Sequence, residues 1–178
     1  MKSNDAANAA PIEIREMALG DIEPVFHLGG KLFTAERWPT LYRSWDEYEL
    51  VDLYESHGEY CLVAEANKRV VGFALGMMMK KPRNAWRYGW LLWLGVARRH
   101  KRRGIGDRLV NRLTERFIED GARMMLVDTD VNNEKAIHFF KSAGFTNGIH
   151  HIYMSLNLES HPRYIERKAE REGWLATE

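Results

Sequence analysis

The stretch from Trp90 to Gly106 constrains this chain more than any other. Trp90–Val96 is apolar or glycine throughout, and at strand length it falls far short of a membrane span. It gives way to Arg98-Arg99-His100-Lys101-Arg102-Arg103, where five of six side chains are Lys or Arg. Gly104-Ile105-Gly106 follows. From there Leu109, Val110, Leu113 and Phe117 fall at helical spacing until Gly121 offers a stop. A strand that runs through a basic turn into an amphipathic helix gathers three things in one place: unpaired helix N–H groups, the positive end of the helix dipole, and cationic side chains. Glycine, lacking Cβ, lets an anion approach the backbone closely. A polyphosphate suits this arrangement. A basic turn on a soluble surface would carry the same charge, but the strand before it and the helix after it favour the anion site. The G-x-x-x-x-G-K-[ST] pattern of a P-loop is absent.

The rest of the pattern builds a mixed α/β domain around that unit. Pro11–Met17 alternates apolar and polar residues, as a strand does. Asp21 is placed to cap a helix through Val25, Phe26 and Leu28 toward Leu32, and Ser44 to cap a second, Trp45–Ser56, with Tyr48, Leu50, Val51 and Tyr54 as its apolar positions. Tyr60–Ala66, Val70–Met79 and Arg87–Val96 read as strands, the first two joined through Asn67-Lys68-Arg69. Met124–Thr129 reads as another strand, Asn133–Ser142 as a short helix with an Asn cap and Gly144 beyond it, and Ile152–Leu156 as a last strand. Residues 1–10 form a loose tail, 11–158 the domain and 159–178 a charged extension in which Pro162 can start a helix. The thin apolar stripe of that extension (Ile165, Ala169, Trp174) fits a solvated helix or a dimerisation arm, so a homodimer stays open.

Composition excludes some classes. The 178 residues suit one domain. A net charge of +1 argues against a general nucleic-acid binder. Cys61 is the only cysteine and sits in an apolar run, so it reads as a buried hydrophobe. No run is apolar and long enough to cross a membrane, and the first ten residues lack a secretory core, so a cytoplasmic protein is the default expectation. His and Cys do not cluster at ligand spacing, and no metal is expected.

The basic loop resembles the signature of the GCN5-related N-acetyltransferases, roughly [RQ]-x-x-G-x-[GA]: Lys101 stands where that family usually has Arg or Gln, and Gly104 and Gly106 match. A second block agrees. Asn133, Ala136, Phe140, Gly144 and Phe145 are similar to the family's N-x-x-A-x-x-x-Y-x-x-x-G-F. The resemblance implies a mixed, mostly antiparallel central sheet flanked by helices. It implies acetyl-CoA as cosubstrate, with its pyrophosphate on the amides of Lys101, Arg102, Arg103, Gly104, Ile105 and Gly106. The pantetheine arm would lie along Leu94 and Val96 like an added strand. Asn133 and Phe140 belong to the same cofactor site. The implied reaction is acetyl transfer to a primary amine: a protein N-terminus, a lysine, a polyamine or a small amine. A non-catalytic acyl-CoA-binding or regulatory domain on the same fold is the alternative.

The sequence departs from the family pattern twice. Phe140 stands where many members have a Tyr that protonates the departing thiolate, and Phe has no proton to give. Trp90–Val96 also lacks the carboxylate that some relatives keep there as a base. Asp128 and Asp130, two apart at the end of a strand and so on one face, are candidate bases. Tyr153 and Tyr88 are candidate acids, and His150 and His151 further bases. On the acceptor side, residues 44–59 carry six carboxylates with no Lys or Arg between Arg43 and Lys68, and Trp38, Tyr42, Trp45, Tyr48 and Tyr54 lie in the same region. An acidic, aromatic wall suits a cationic amine. An ordinary solvated helix whose aromatics face the core fits the same residues.

Overall fold

Among the described residues, five strands form one sheet whose spatial order is their order in the chain: β1 (Ile12–Glu16), β2 (Cys61–Ala66), β3 (Arg69–Lys80), β4 (Arg87–Val96) and β5 (Ala122–Val127). The first three pairings are antiparallel, and β4 pairs with β5 in parallel. The structure, a computed structural model, describes residues 11–34, 44–80, 86–150, 152, 154 and 156–175. The sheet and four helices, α1 (Ile22–Leu32), α2 (Glu47–His57), α3 (Ile105–Glu119) and α4 (Glu134–Ser142), lie in a unit that ends at Asn147. Residues from Gly148 onward form a second unit containing α5 (Pro162–Leu175), the helix that Pro162 starts.

Strand alternation divides the core in two. One face of the sheet sends Leu62, Ala64, Ala74 and Leu91 against Ile105, Leu109, Leu113 and Phe117 of α3. The other sends Val63, Phe73, Leu75 and Trp93 against Val25 of α1 and Leu50 and Leu53 of α2. Each fully buried Leu or Phe side chain contributes about 1.5–3 kcal/mol. Packing against α3 is close enough that a Cβ added at Gly89 would stand 2.3 Å from the Phe117 ring. The turn between β2 and β3 has two residues, Asn67 and Lys68, both left-handed at φ 50° and 58°. That geometry matches the twist of the strands it joins.

Several local expectations are corrected. Asp21 stands at the start of α1, but its carboxylate does not cap the helix. It accepts from the Ala18 N–H and from both terminal nitrogens of the Arg15 guanidinium. The cap of α2 is Asp46, which accepts from the Glu49 N–H, rather than Ser44. The helix starts late because Trp45 turns into the core: its indole donates to the Phe26 carbonyl and stacks on Phe73. That start fixes the buried face as Leu50 and Leu53, and it leaves Tyr48 80% exposed and Val51 on the surface. Strand β5 stops at Val127, short of Thr129, where its pairing with β4 ends. The described residues of the expected last strand, Ile152, Met154 and Leu156, carry no strand pairing and are exposed. Alternation supplies a side-chain pattern, but a strand also needs hydrogen-bonding partners.

Candidate functional site

The site begins where β4 leaves β5. Their register runs from Arg87↔Ala122 to Leu91↔Val127 and stops, while β4 continues to Val96 against β3. At the parting point β4 carries a bulge: Gly76 opposes Leu91 and Leu75 opposes Trp93, so Leu92 is the extra residue. A bulge bends its strand and swaps the faces beyond it. Accordingly Leu91 packs toward α3, Leu92 and Trp93 toward α1 and α2, and Leu94 toward α3 again. Among the described residues, Leu92–Val96 therefore has one edge with no strand on it. The backbone of Leu94 and Val96 lies on this segment.

Beyond Val96 the chain makes a 3-10 turn at Arg98–His100, then Lys101–Gly104 runs exposed into α3. Arg102 and Gly104 are both left-handed, at φ 61° and 69°. Among the described residues no side chain caps α3, and its first N–H groups point out of the helix. An added Cβ at Gly104 would meet nothing within 4 Å. Ile105 is buried and anchors the turn, and at Gly106 a Cβ would stand 3.2 Å from the Phe139 ring. The two glycines thus do different things. Gly104 supplies a backbone conformation that L-residues resist, and Gly106 lets α4 approach α3. One strand–loop–helix unit brings together Leu94, Val96, Lys101, Arg102, Arg103, Gly104, Ile105 and Gly106. An open, cationic rim over outward-pointing amides fits a diphosphate.

The second block is set beside it by the Phe139–Gly106 contact. Asn133 caps α4, accepting from the Ala136 N–H while its amide donates to the Thr129 hydroxyl. Phe140 lies edge-on to Phe139 and Phe145 at the margin of the core. Asp128 and Asp130 both lie past the end of β5, so the strand-face argument that paired them does not apply. Asp130 accepts from the Asn132 N–H at 2.7 Å, within the turn that leads to Asn133. Asp128 instead accepts from the Trp90 indole N–H at 2.9 Å, across the point where β4 and β5 separate. Composition gave no sign of this link, because Trp90 sits in an unbroken apolar run. Tyr153 and His151 lie outside the described residues. His150 is exposed, and Tyr88 is half-buried on β4 opposite Met79.

On the side of α1 and α2, the aromatic wall is partly core. Trp45 and Tyr54 pack in the second cluster, and Glu49 accepts from the Trp93 indole. Tyr48, Glu47, Asp52 and Glu55 are exposed. Trp38 and Tyr42 lie outside the described residues. Burial pushes the Cys61 thiol up to about 12, as suits an inert core residue. No described helix is long and apolar enough to cross a membrane.

Comparison with known proteins agrees with this architecture. Residues 31–145, well over half of the chain, match the Acetyltransferase (GNAT) family. A curated relative, N-alpha-acetyltransferase 30 of Xenopus laevis, is 24% identical over 87 residues, 49% of this chain and 32% of that protein. The match thus spans about a third of the length of that relative. Among solved structures, the aminoglycoside N-acetyltransferase AAC(6')-Iy in complex with CoA superposes with TM-score 0.67 at 18% identity, covering 85% of this chain and 98% of that one. Glucosamine-6-phosphate N-acetyltransferase from Arabidopsis thaliana gives 0.63 at 20%, covering 83% and 99%. Ard1 from Thermoplasma volcanium gives 0.61 at 22%, covering 86% and 90%.

Proposed function

The chain belongs to the acetyltransferase (GNAT) family, and from that premise we propose that it transfers an acetyl group from acetyl-CoA to a primary amine. One observation carries the reading: the edge of β4 left without a strand among the described residues runs directly into an exposed, left-handed, cationic loop at a helix start that no described side chain caps. An extended amide-bearing arm suits the strand edge, and a diphosphate suits the loop, in the order in which pantetheine and pyrophosphate occur in coenzyme A.

The chemistry is a direct attack. The amine lone pair forms the C–N bond at the acetyl carbon. The C–S bond breaks, and its electron pair leaves on the CoA sulfur. A cationic acceptor first gives one proton to water, which frees the lone pair, and nitrogen loses a second proton as the C–N bond forms. An alkyl ammonium has an ordinary pKa near 10.4 and a carboxylate near 3.9, so a carboxylate takes that proton only as the nitrogen becomes acidic through bond formation. Asp128 is the group we assign to receive it, directly or through water, because it lies where the strands part. With Phe140 unable to donate, the thiolate leaves as such and is protonated from solvent, which is tolerable for a thiol of ordinary pKa about 8.5. The exposed carboxylates of α2 favour a cationic acceptor.

Incubation with acetyl-CoA and a panel of protein N-termini, lysine peptides, polyamines and small amines, read by a mass increase of one acetyl group, tests the proposal. Tight binding of acetyl-CoA with no product across the panel would establish the alternative, a non-catalytic acyl-CoA-binding domain.

A further inference from the structure

Resting on the acetyl-transfer reading above, we propose that Trp90 is a positioning residue, whose indole N–H fixes the Asp128 carboxylate at the mouth of the β4–β5 split so that it meets the acceptor amine. Asp128 follows the last paired residue of β5, in a segment with no helix or strand to hold it. Trp90 pairs with Leu126 on β5 and with Met77 on β3. The bond from Trp90 to Asp128 therefore reaches from the last paired stretch of β4 to the first residue beyond β5. Trp90 belongs to neither core cluster and is half-buried. Its partner Met77 packs toward α1 and α2, so Trp90 lies on that face of the sheet, opposite α3.

Stability gives little reason for this bond. Water satisfies an exposed carboxylate, and exposed polar pairs are worth little. What the bond does supply is orientation. The contrast with Trp93, three residues on, is informative. Beyond the bulge at Leu92, Trp93 is buried, and its N–H goes to Glu49 among the α1 and α2 contacts. The bulge thus divides the two indoles, one into the core and one at the split.

The test uses the full chain with an amine identified by the acetylation panel. Trp90→Phe removes the N–H and keeps a ring; Asp128→Asn removes the charge; the double variant combines them. Circular dichroism and the affinity for acetyl-CoA confirm that each variant is folded with an intact cofactor site. Trp90→Phe is expected to lower kcat/KM for the amine roughly tenfold or more, the scale of a hydrogen bond to a charged group, with KM for acetyl-CoA unchanged. In the Asp128→Asn background the same substitution is expected to have little further effect, because its action passes through the carboxylate. Trp90→His, which restores a ring N–H donor, should recover part of the loss.

Additive losses in the double variant would overturn the inference and make Trp90 a packing residue. So would an undiminished Trp90→Phe enzyme beside an impaired Asp128→Asn enzyme. An indifferent Asp128→Asn enzyme would remove the carboxylate from the reaction and the inference with it. A wild-type chain that acetylates nothing would instead overturn the acetyl-transfer reading itself.

Discussion

Replacing Gly104 separates the two demands made on the loop, backbone conformation and anion access. At φ 69° and ψ 11° the residue is left-handed. An L-residue there loses about 1–2 kcal/mol. Because a Cβ meets nothing within 4 Å, no clash adds to this. Reduced freedom of the unfolded chain returns about 0.4–1 kcal/mol. The net cost of Gly104→Ala is therefore about 1 kcal/mol. With a urea dependence of about 1–3 kcal/mol/M, the midpoint falls by roughly 0.3–1 M. Asn tolerates the left-handed region better, so Gly104→Asn should cost less. Binding behaves differently. In either variant a side chain enters the open space beside the loop assigned to the pyrophosphate, so affinity for CoA should fall at least tenfold, about 1.4 kcal/mol. Urea unfolding and calorimetric titration with CoA read the two effects separately. The variants should differ in stability and agree in lost affinity. A folded Gly104→Asn protein that binds CoA as tightly as wild type would refute the site, and a Gly104→Ala protein with an unshifted midpoint would refute the conformational argument.

Three other outcomes are expected. Phe140→Tyr, at the half-buried margin of the core, should fold normally and raise kcat if thiolate protonation is rate-limiting; lower activity at every pH would show that the missing hydroxyl is not the deficit. Neutralising the exposed Asp52 and Glu55 of α2 together should raise the KM of a cationic amine at low salt and leave that of acetyl-CoA unchanged. The difference should fade as ionic strength shortens the reach of exposed charges to about 10 Å at 0.1 M. Asp21, held below the ordinary carboxylate range by the Arg15 hydrogen bonds against an opposing burial effect, contributes stability above its unfolded pKa near 3.9 and loses it as pH falls through its lower folded value. Asp21→Asn should thus cost about 2 kcal/mol at neutral pH, and urea titrations should show the gap to wild type closing below about pH 4.

What the sequence revealed depended on whether a local pattern sufficed. The β4–loop–α3 unit was legible because its signals are local: an apolar run, a basic turn with two glycines and a 3.6-residue period from Leu109 to Phe117. The buried face of α2 was not. Tyr48 and Val51 count as apolar in any pattern, and only the packing of Trp45 on Phe73 decides that Leu50 and Leu53 face inward. Ser44 and Asp46 are both good caps, and the same packing chooses between them. Strand β5 ends at Val127 because its pairing with β4 ends there, which its own residues do not encode. For the same reason Asp128 and Asp130 looked like one strand face and are instead two parts of a loop with separate partners. The bulge at Leu92 lies in a run where every neighbour is apolar or glycine, so no alternation marks it, yet it decides which tryptophan enters the core.

The agreement between strand order and chain order has a consequence for how the protein is made. A nascent chain emerges from its N-terminus, and here each new strand finds its neighbour already synthesised. Only the short turn at Asn67-Lys68 separates β2 from β3, so that hairpin closes at little entropic cost. The parallel step to β5 must wait for α3 to emerge. Until then the α3-facing side of the sheet, including Leu62, Ala74 and Leu91, stays wet. Between translation of Val96 and of Phe117 that apolar face is therefore open to aggregation and to chaperone capture.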